Sequence, residues 1–214
     1  MQRLLDKGLE ELTTMVVKMG KDAEKAVAIS LRGFLESKDT SNDVHEISEI
    51  LVGNTVEVEE KAFSLIAKYQ PVASDLRIIN SYMKVAYDFE RYGRYAWDIS
   101  FISTRFNGHS TCDEWVFEYI EKMAEKVLQM VTTSINSLRS LDVELVKKMT
   151  KTEQGVDDMY LEFLGKLVKT AGVTNECTVS STLVVRYLER IADHATHIME
   201  AVVYIATGEK VTLR

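Results

Sequence analysis

The sequence predicts an all-α protein: two pseudo-symmetric antiparallel three-helix bundles, six helices in total. Three observations carry that expectation. One Pro and 10 Gly in 214 residues leave little turn chemistry for a β-sandwich or barrel. Long intervals free of breakers place apolar residues at helical spacing. A late segment also repeats a middle one: Phe89-Glu90-Arg91 answers Leu188-Glu189-Arg190, and Ile99 answers Ile198, at an offset of 99. Self-similarity over almost half the chain signals two similar units, which the pattern divides into residues 1–106 and 113–214.

Helix one is expected from about Arg3 to Glu36, on Leu5, Leu9, Leu12, Val16, Met19, Ala23, Val27 and Phe34. Lys38-Asp-Thr-Ser-Asn-Asp43 is a turn-and-cap cluster. Helix two follows to about Tyr69, closed by Gln70-Pro71, because the residue before a Pro disfavours helix and Pro suits a first turn. Helix three spans about Val72 to Thr104. Arg105 to Asp113 reads as the linker, with Asn107-Gly108 as breaker and Ser110, Thr111 or Asp113 as the next cap. Helix four (about Asp113 to Leu141), helix five (about Val143 to Ala171, capped by Asp142 and ended by Gly172) and helix six (to near Gly208) repeat the order.

Composition excludes several classes. A net charge of −7 argues against nonspecific nucleic-acid binding and against a polybasic membrane anchor. No run approaches the ~20 apolar residues of a membrane span, and the charged N-terminus lacks a signal peptide's apolar core. The expectation is a cytoplasmic protein. Cys112 and Cys177 have no zinc-type spacing and read as packing residues rather than a disulfide framework.

The chemistry concentrates between Tyr187 and His197. Glu189, Asp193 and His197 follow at spacings of four, a ladder of metal-ligand residue types along one flank of helix six. The competing reading is a solvated face whose carboxylates pair with Arg186 and Arg190. Helix five has a misfit: Val146, Met149, Glu153, Val156, Tyr160, Phe163 and Leu167 form a core stripe containing a carboxylate, with Asp157 one turn on. If helices five and six pack antiparallel, Glu153, Asp157, Glu189 and Asp193 face each other, and four carboxylates there repel strongly without a cation. Their oxygens suit iron, manganese, magnesium or calcium, and His197 would bias the site toward iron or zinc if it reached the ion. In the first repeat Glu90 matches Glu189, but Arg94 stands at the place of Asp193, where it can pair with Glu90 or Asp98. Aligning Val58 with Val156 puts Thr55 opposite Glu153 and Glu59 opposite Asp157.

Two segments, Gln70-Pro-Val-Ala-Ser-Asp-Leu-Arg77 and Leu188-Glu-Arg-Ile-Ala-Asp-His-Ala195, resemble the signatures of the PhoU family of phosphate-uptake regulators. The resemblance runs over essentially the full length. It implies a cytoplasmic, often dimeric regulator that restrains phosphate uptake together with the transporter's ATPase subunit and, in many bacteria, a sensor kinase. Contact with the membrane would be only indirect, through the transporter. The resemblance also implies Glu/Asp-x-x-x-Asp motifs that bind metal, iron or zinc in some members, here matching Glu189 with Asp193 and Glu153 with Asp157. The expected activity is regulation, not catalysis. A helical-bundle metalloenzyme and a metal-free scaffold are the alternatives. Di-iron oxidase chemistry needs Glu-x-x-His, which none of the four His satisfies, and no Gly-rich phosphate loop is present.

Overall fold

The computed structural model describes residues 3–106 and 112–213. These residues form six helices: α1 (Leu4–Glu36), α2 (Ser41–Tyr69), α3 (Ala73–Phe106), α4 (Glu114–Ser140), α5 (Val143–Lys169) and α6 (Asn175–Thr207). No strand occurs among the described residues. Among the described residues no helix is long and apolar enough to cross a membrane. Asn107-Gly108, Ser110 and Thr111 lie outside the described residues.

The caps explain where the helices begin and stop. Asp142 accepts hydrogen bonds from the Glu144 and Leu145 amides, and Thr174 from the Cys177 amide, satisfying donors that a first turn leaves open. Asp113 precedes α4 in extended backbone without a side-chain cap bond. Ser37, Gln70 and Leu141 end their helices in the left-handed region. Helix α5 stops at Lys169, earlier than Gly172 predicts. Thr170 leaves the helical region there, and Gly172 takes a positive φ in the turn beyond.

Helix α3 packs on α1 and α2, and α6 packs on α4 and α5. The two bundles join where α3 meets α6 and α1 meets α4, so those four helices form the centre and α2 and α5 lie outside. One apolar core runs through both, from Leu12 and Phe34 to Phe163 and Ile198. Each large side chain buried there contributes about 1.5–3 kcal/mol. The crossing is close at Gly20, where a Cβ would come 2.9 Å from the Phe89 ring and 3.1 Å from Ile135.

The α3–α6 contact carries the pseudo-symmetry. Tyr95 stacks on Tyr187 with ring centroids 5.7 Å apart, while Asp88 meets His194 at 2.8 Å. Adding the sequence offset of 99 to Asp88 gives Tyr187, and to Tyr95 gives His194. The two contacts therefore exchange places under the repeat operation. The pairs run antiparallel: the start of α3 meets the end of α6, where the Arg77 guanidinium lies 5.7 Å from the Tyr204 ring centroid.

The cysteines depart from expectation. Cys112 and Cys177 are joined by a disulfide, with Cα atoms 5.0 Å apart. The reason is topological: in an up-down-up bundle the first and third helices start at the same end, so α4's entry lies beside the first turn of α6. Closing a loop of 65 residues restricts the unfolded chain. Cys112→Ser with Cys177→Ser should lower unfolding stability by up to about 4 kcal/mol. Reductant should do the same to the unsubstituted protein, both read from urea midpoints.

Candidate metal centre

Helices α5 and α6 bring three of the expected carboxylates together. One oxygen each from Glu153, Asp157 and Asp193 lie within 4.8 Å of one another. Glu153 is buried because its position belongs to the core stripe of α5, and Asp193 is buried against α5 from the flank of α6. Asp157, one turn beyond Glu153, is exposed at the rim. Glu189 flanks the group, its side chain only 13% exposed. Burial pushes its carboxyl above the usual range. The Asp193 charge adds to this, and Asp157 contributes after an opposing pull from Arg186.

The arginine-pairing alternative is half right. Arg186 donates to Glu189 at 2.7 Å and Arg190 to Asp193 at 3.2 Å. The carboxylates nevertheless do not form a solvated face, since the Asp193 side chain is 8% exposed. Four carboxylates against two guanidiniums leave a formal surplus of two negative charges among these six groups. An all-oxygen, mostly buried acidic set is the donor chemistry of a hard cation, so these residues fit a metal ion.

His197 does not join them. Each step of four residues turns about 40° around a helix, so His197 has rotated about 80° from Glu189, toward α3. There its Nδ1 lies 3.7 Å from Asp88 Oδ1. The same Asp88 oxygen is 2.8 Å from His194 Nδ1, and the two imidazoles stand perpendicular. His194 is buried, and its Nε2 has no hydrogen-bond partner among the described residues, an arrangement that costs about 1–3 kcal/mol. Asp88 and His194 were absent from the sequence-based candidates. The signal that could have found them is the i, i+3 spacing of His194 and His197, but their partner sits 106 residues away.

Glu90, half-buried on α3, is brought into neither group. Among the described residues Arg94 makes no ion pair with Glu90 or Asp98. Its guanidinium instead lies over the Trp97 ring at 4.9 Å. The α2 register also differs from the expected one. A Cβ on Gly93 would meet Leu51 at 2.5 Å and Ser48 Cα at 3.4 Å. Ser48, one heptad before Thr55, therefore faces the Gly93–Arg94 turn, as Glu153 faces Asp193. Thr55 instead bonds the backbone of Leu51 and reaches the Ala86 carbonyl at 3.5 Å. A stripe that recurs every seven residues looks the same after a seven-residue slip, so only packing could decide.

A two-repeat helical protein with an acidic group between its fifth and sixth helices defines the class. The sequence matches the PhoU domain over residues 16–102 and again over 120–202, and the chain belongs to the PhoU family. A phosphate-specific transport system accessory protein PhoU homolog from Clostridium acetobutylicum is 30% identical, over 99% of this chain and 98% of that one. A relative of the same description from Synechocystis is 31% identical over 96% and 92%. The fold matches the crystal structure of PhoU from Pseudomonas aeruginosa with a TM-score of 0.90 at 24% identity, covering 95% and 99% of the two chains. PhoU from Streptococcus pneumoniae gives 0.75 at 20% identity, over 97% and 99%.

Asp98 offers a test of the electrostatics on α3. Burial pushes its carboxyl above the usual range, with Arg94 and then Arg91 pulling it down. The folded chain thus holds this proton more tightly than the unfolded chain. The group's contribution to stability is lost as pH rises from the ordinary aspartate value of about 3.9. Asp98→Asn should stabilise the protein at neutral pH, the gain fading as pH falls through the raised folded value and gone below about 4. Urea midpoints across that range would show it, and a gain independent of pH would contradict it.

Proposed function

We propose that this protein is a non-enzymatic regulator of phosphate uptake, an adaptor acting on a phosphate-specific transport system. The observation that carries this reading is family membership over the whole chain, with relatives described as accessory proteins of such systems along 98% and 92% of their own lengths. The partner is the transporter's ATPase subunit, joined in some bacteria by a sensor kinase, and the working form is a homodimer. Residues 1–106 and 113–214 act as two repeats. The compartment is the cytoplasm, where thiols are kept reduced, so the Cys112–Cys177 bond would form only transiently there. Deleting the gene should raise phosphate uptake in phosphate-replete cells. Unchanged uptake, or robust turnover of phosphate esters by the purified protein, would overturn the regulatory role.

Metal enters this reading through the second repeat. Glu153, Asp157, Glu189 and Asp193 would hold the ion, which supplies the positive charge that offsets four crowded carboxylates. Iron or zinc follows from the family resemblance. Manganese, magnesium and calcium suit the same oxygens. The first repeat offers Ser48 and Val52 in the corresponding α2 register, and Arg94 in place of Asp193. Each unit of cation charge within ~4 Å of that guanidinium meets about 4 kcal/mol of repulsion at an effective dielectric near 20. Manganese reloaded into chelator-stripped protein should therefore drop sharply in Glu189→Gln with Asp193→Asn. It should be unaffected by Glu90→Gln. The opposite pattern would reverse the asymmetry.

A further inference from the structure

The geometry points to a second, chemically different metal site: Asp88, His194 and His197 form a three-ligand centre for a divalent transition-metal ion at the α3–α6 seam. It is separate from the acidic group and does not depend on it. One ligand atom from each of the three residues lies within 4.8 Å of the others. An ion bound tetrahedrally at 2.0–2.1 Å holds its ligands roughly 3.3 Å apart. The distances from Asp88 Oδ1 to the two Nδ1 atoms, 2.8 and 3.7 Å, bracket that value, so small side-chain adjustments close the site.

The surroundings support a ligand rather than a plain hydrogen-bonded pair. His194 and Asp88 are buried, at 5% and 7% exposure. The His194 ring is fixed among Tyr87, Tyr95 and His197. The Nδ1 atoms of both imidazoles converge on the same Asp88 oxygen, while the His194 Nε2, on the other side of the ring, has no hydrogen-bond partner among the described residues. Asp88 and His197 line a cavity of about 690 Å³ between α3, α6 and the C-terminal segment. That cavity gives an ion a route of entry and leaves a coordination position open to water. Two imidazoles with one carboxylate select zinc, iron(II), cobalt or nickel over calcium and magnesium.

The repeat operation makes this site single. Asp88, His194 and His197 correspond to Tyr187, Tyr95 and Asp98 across the pseudo-symmetric contact, and two tyrosines with one aspartate do not reproduce the donor set. The centre therefore requires both repeats, one supplying the carboxylate and the other the imidazoles.

The test titrates chelator-stripped full-length protein with Co(II) alone, read by the visible d–d bands of imidazole-ligated cobalt. In the Glu189→Gln, Asp193→Asn background, one equivalent should still bind and give those bands. Adding His197→Asn or Asp88→Asn should weaken it by at least about tenfold. Should that background fail to fold by circular dichroism, the single His197→Asn variant serves instead, because His197 is exposed. It should lose one Co(II) per chain and the imidazole bands while keeping the acidic site. Absence of imidazole bands in the folded protein, or binding indifferent to both His197→Asn and Asp88→Asn, overturns the proposal. Loss of metal only in the acidic-group variants would count against this centre while leaving the acidic one intact.

Discussion

The antiparallel packing of α3 on α6 is the constraint from which the rest of the arrangement follows. Each is the third helix of its repeat, and each has one face for its own bundle and another for its counterpart. Tyr95, Tyr187, Asp88 and His194 occupy the shared face. Arg91 and Arg190 both reach the Tyr95 hydroxyl, at 2.8 and 3.4 Å. Asp193 lies off that face, on the flank of α6 that meets α5. Apolar burial in the bundles supplies the driving force, and the polar seam sets how the bundles face each other.

The repeats differ at positions where the pseudo-symmetry would duplicate charge. The second repeat keeps three acids around one point, with Glu189 at their flank. The first has Arg94 at the position that matches Asp193, and that guanidinium has settled on Trp97 rather than on a carboxylate. A guanidinium stacked on an indole needs no buried counter-ion, because the ring face itself attracts it. The seam diverged too, one half becoming a tyrosine stack and the other a carboxylate–imidazole pair. Duplicated architecture with unequal chemistry lets one fold present different surfaces at its two ends.

Buried acidity at the α5–α6 interface is held partly by Arg186 and Arg190, each from the same helix as its carboxylate. These i, i+3 pairs cost little chain entropy because the helix already sets their spacing. Glu189 still has its carboxyl pushed above the usual range. The local pairs thus leave part of the desolvation uncompensated, the condition in which a bound cation is most favourable.

Local periodicity by itself determined the six helices, their ends to within a few residues, the 99-residue repeat and the buried carboxylate at Glu153. Capping, breakers and apolar spacing act over a few residues and are written in consecutive letters. Packing alone decided three things. The α2 register was open because a heptad stripe is unchanged by a seven-residue slip. The Cys112–Cys177 bond came from two helices starting at the same end. His197 went to Asp88 rather than Asp193 because 80° of helical rotation separates it from Glu189. In each case the partner lies on another helix, tens of residues away, and no rule of spacing along one helix can name it.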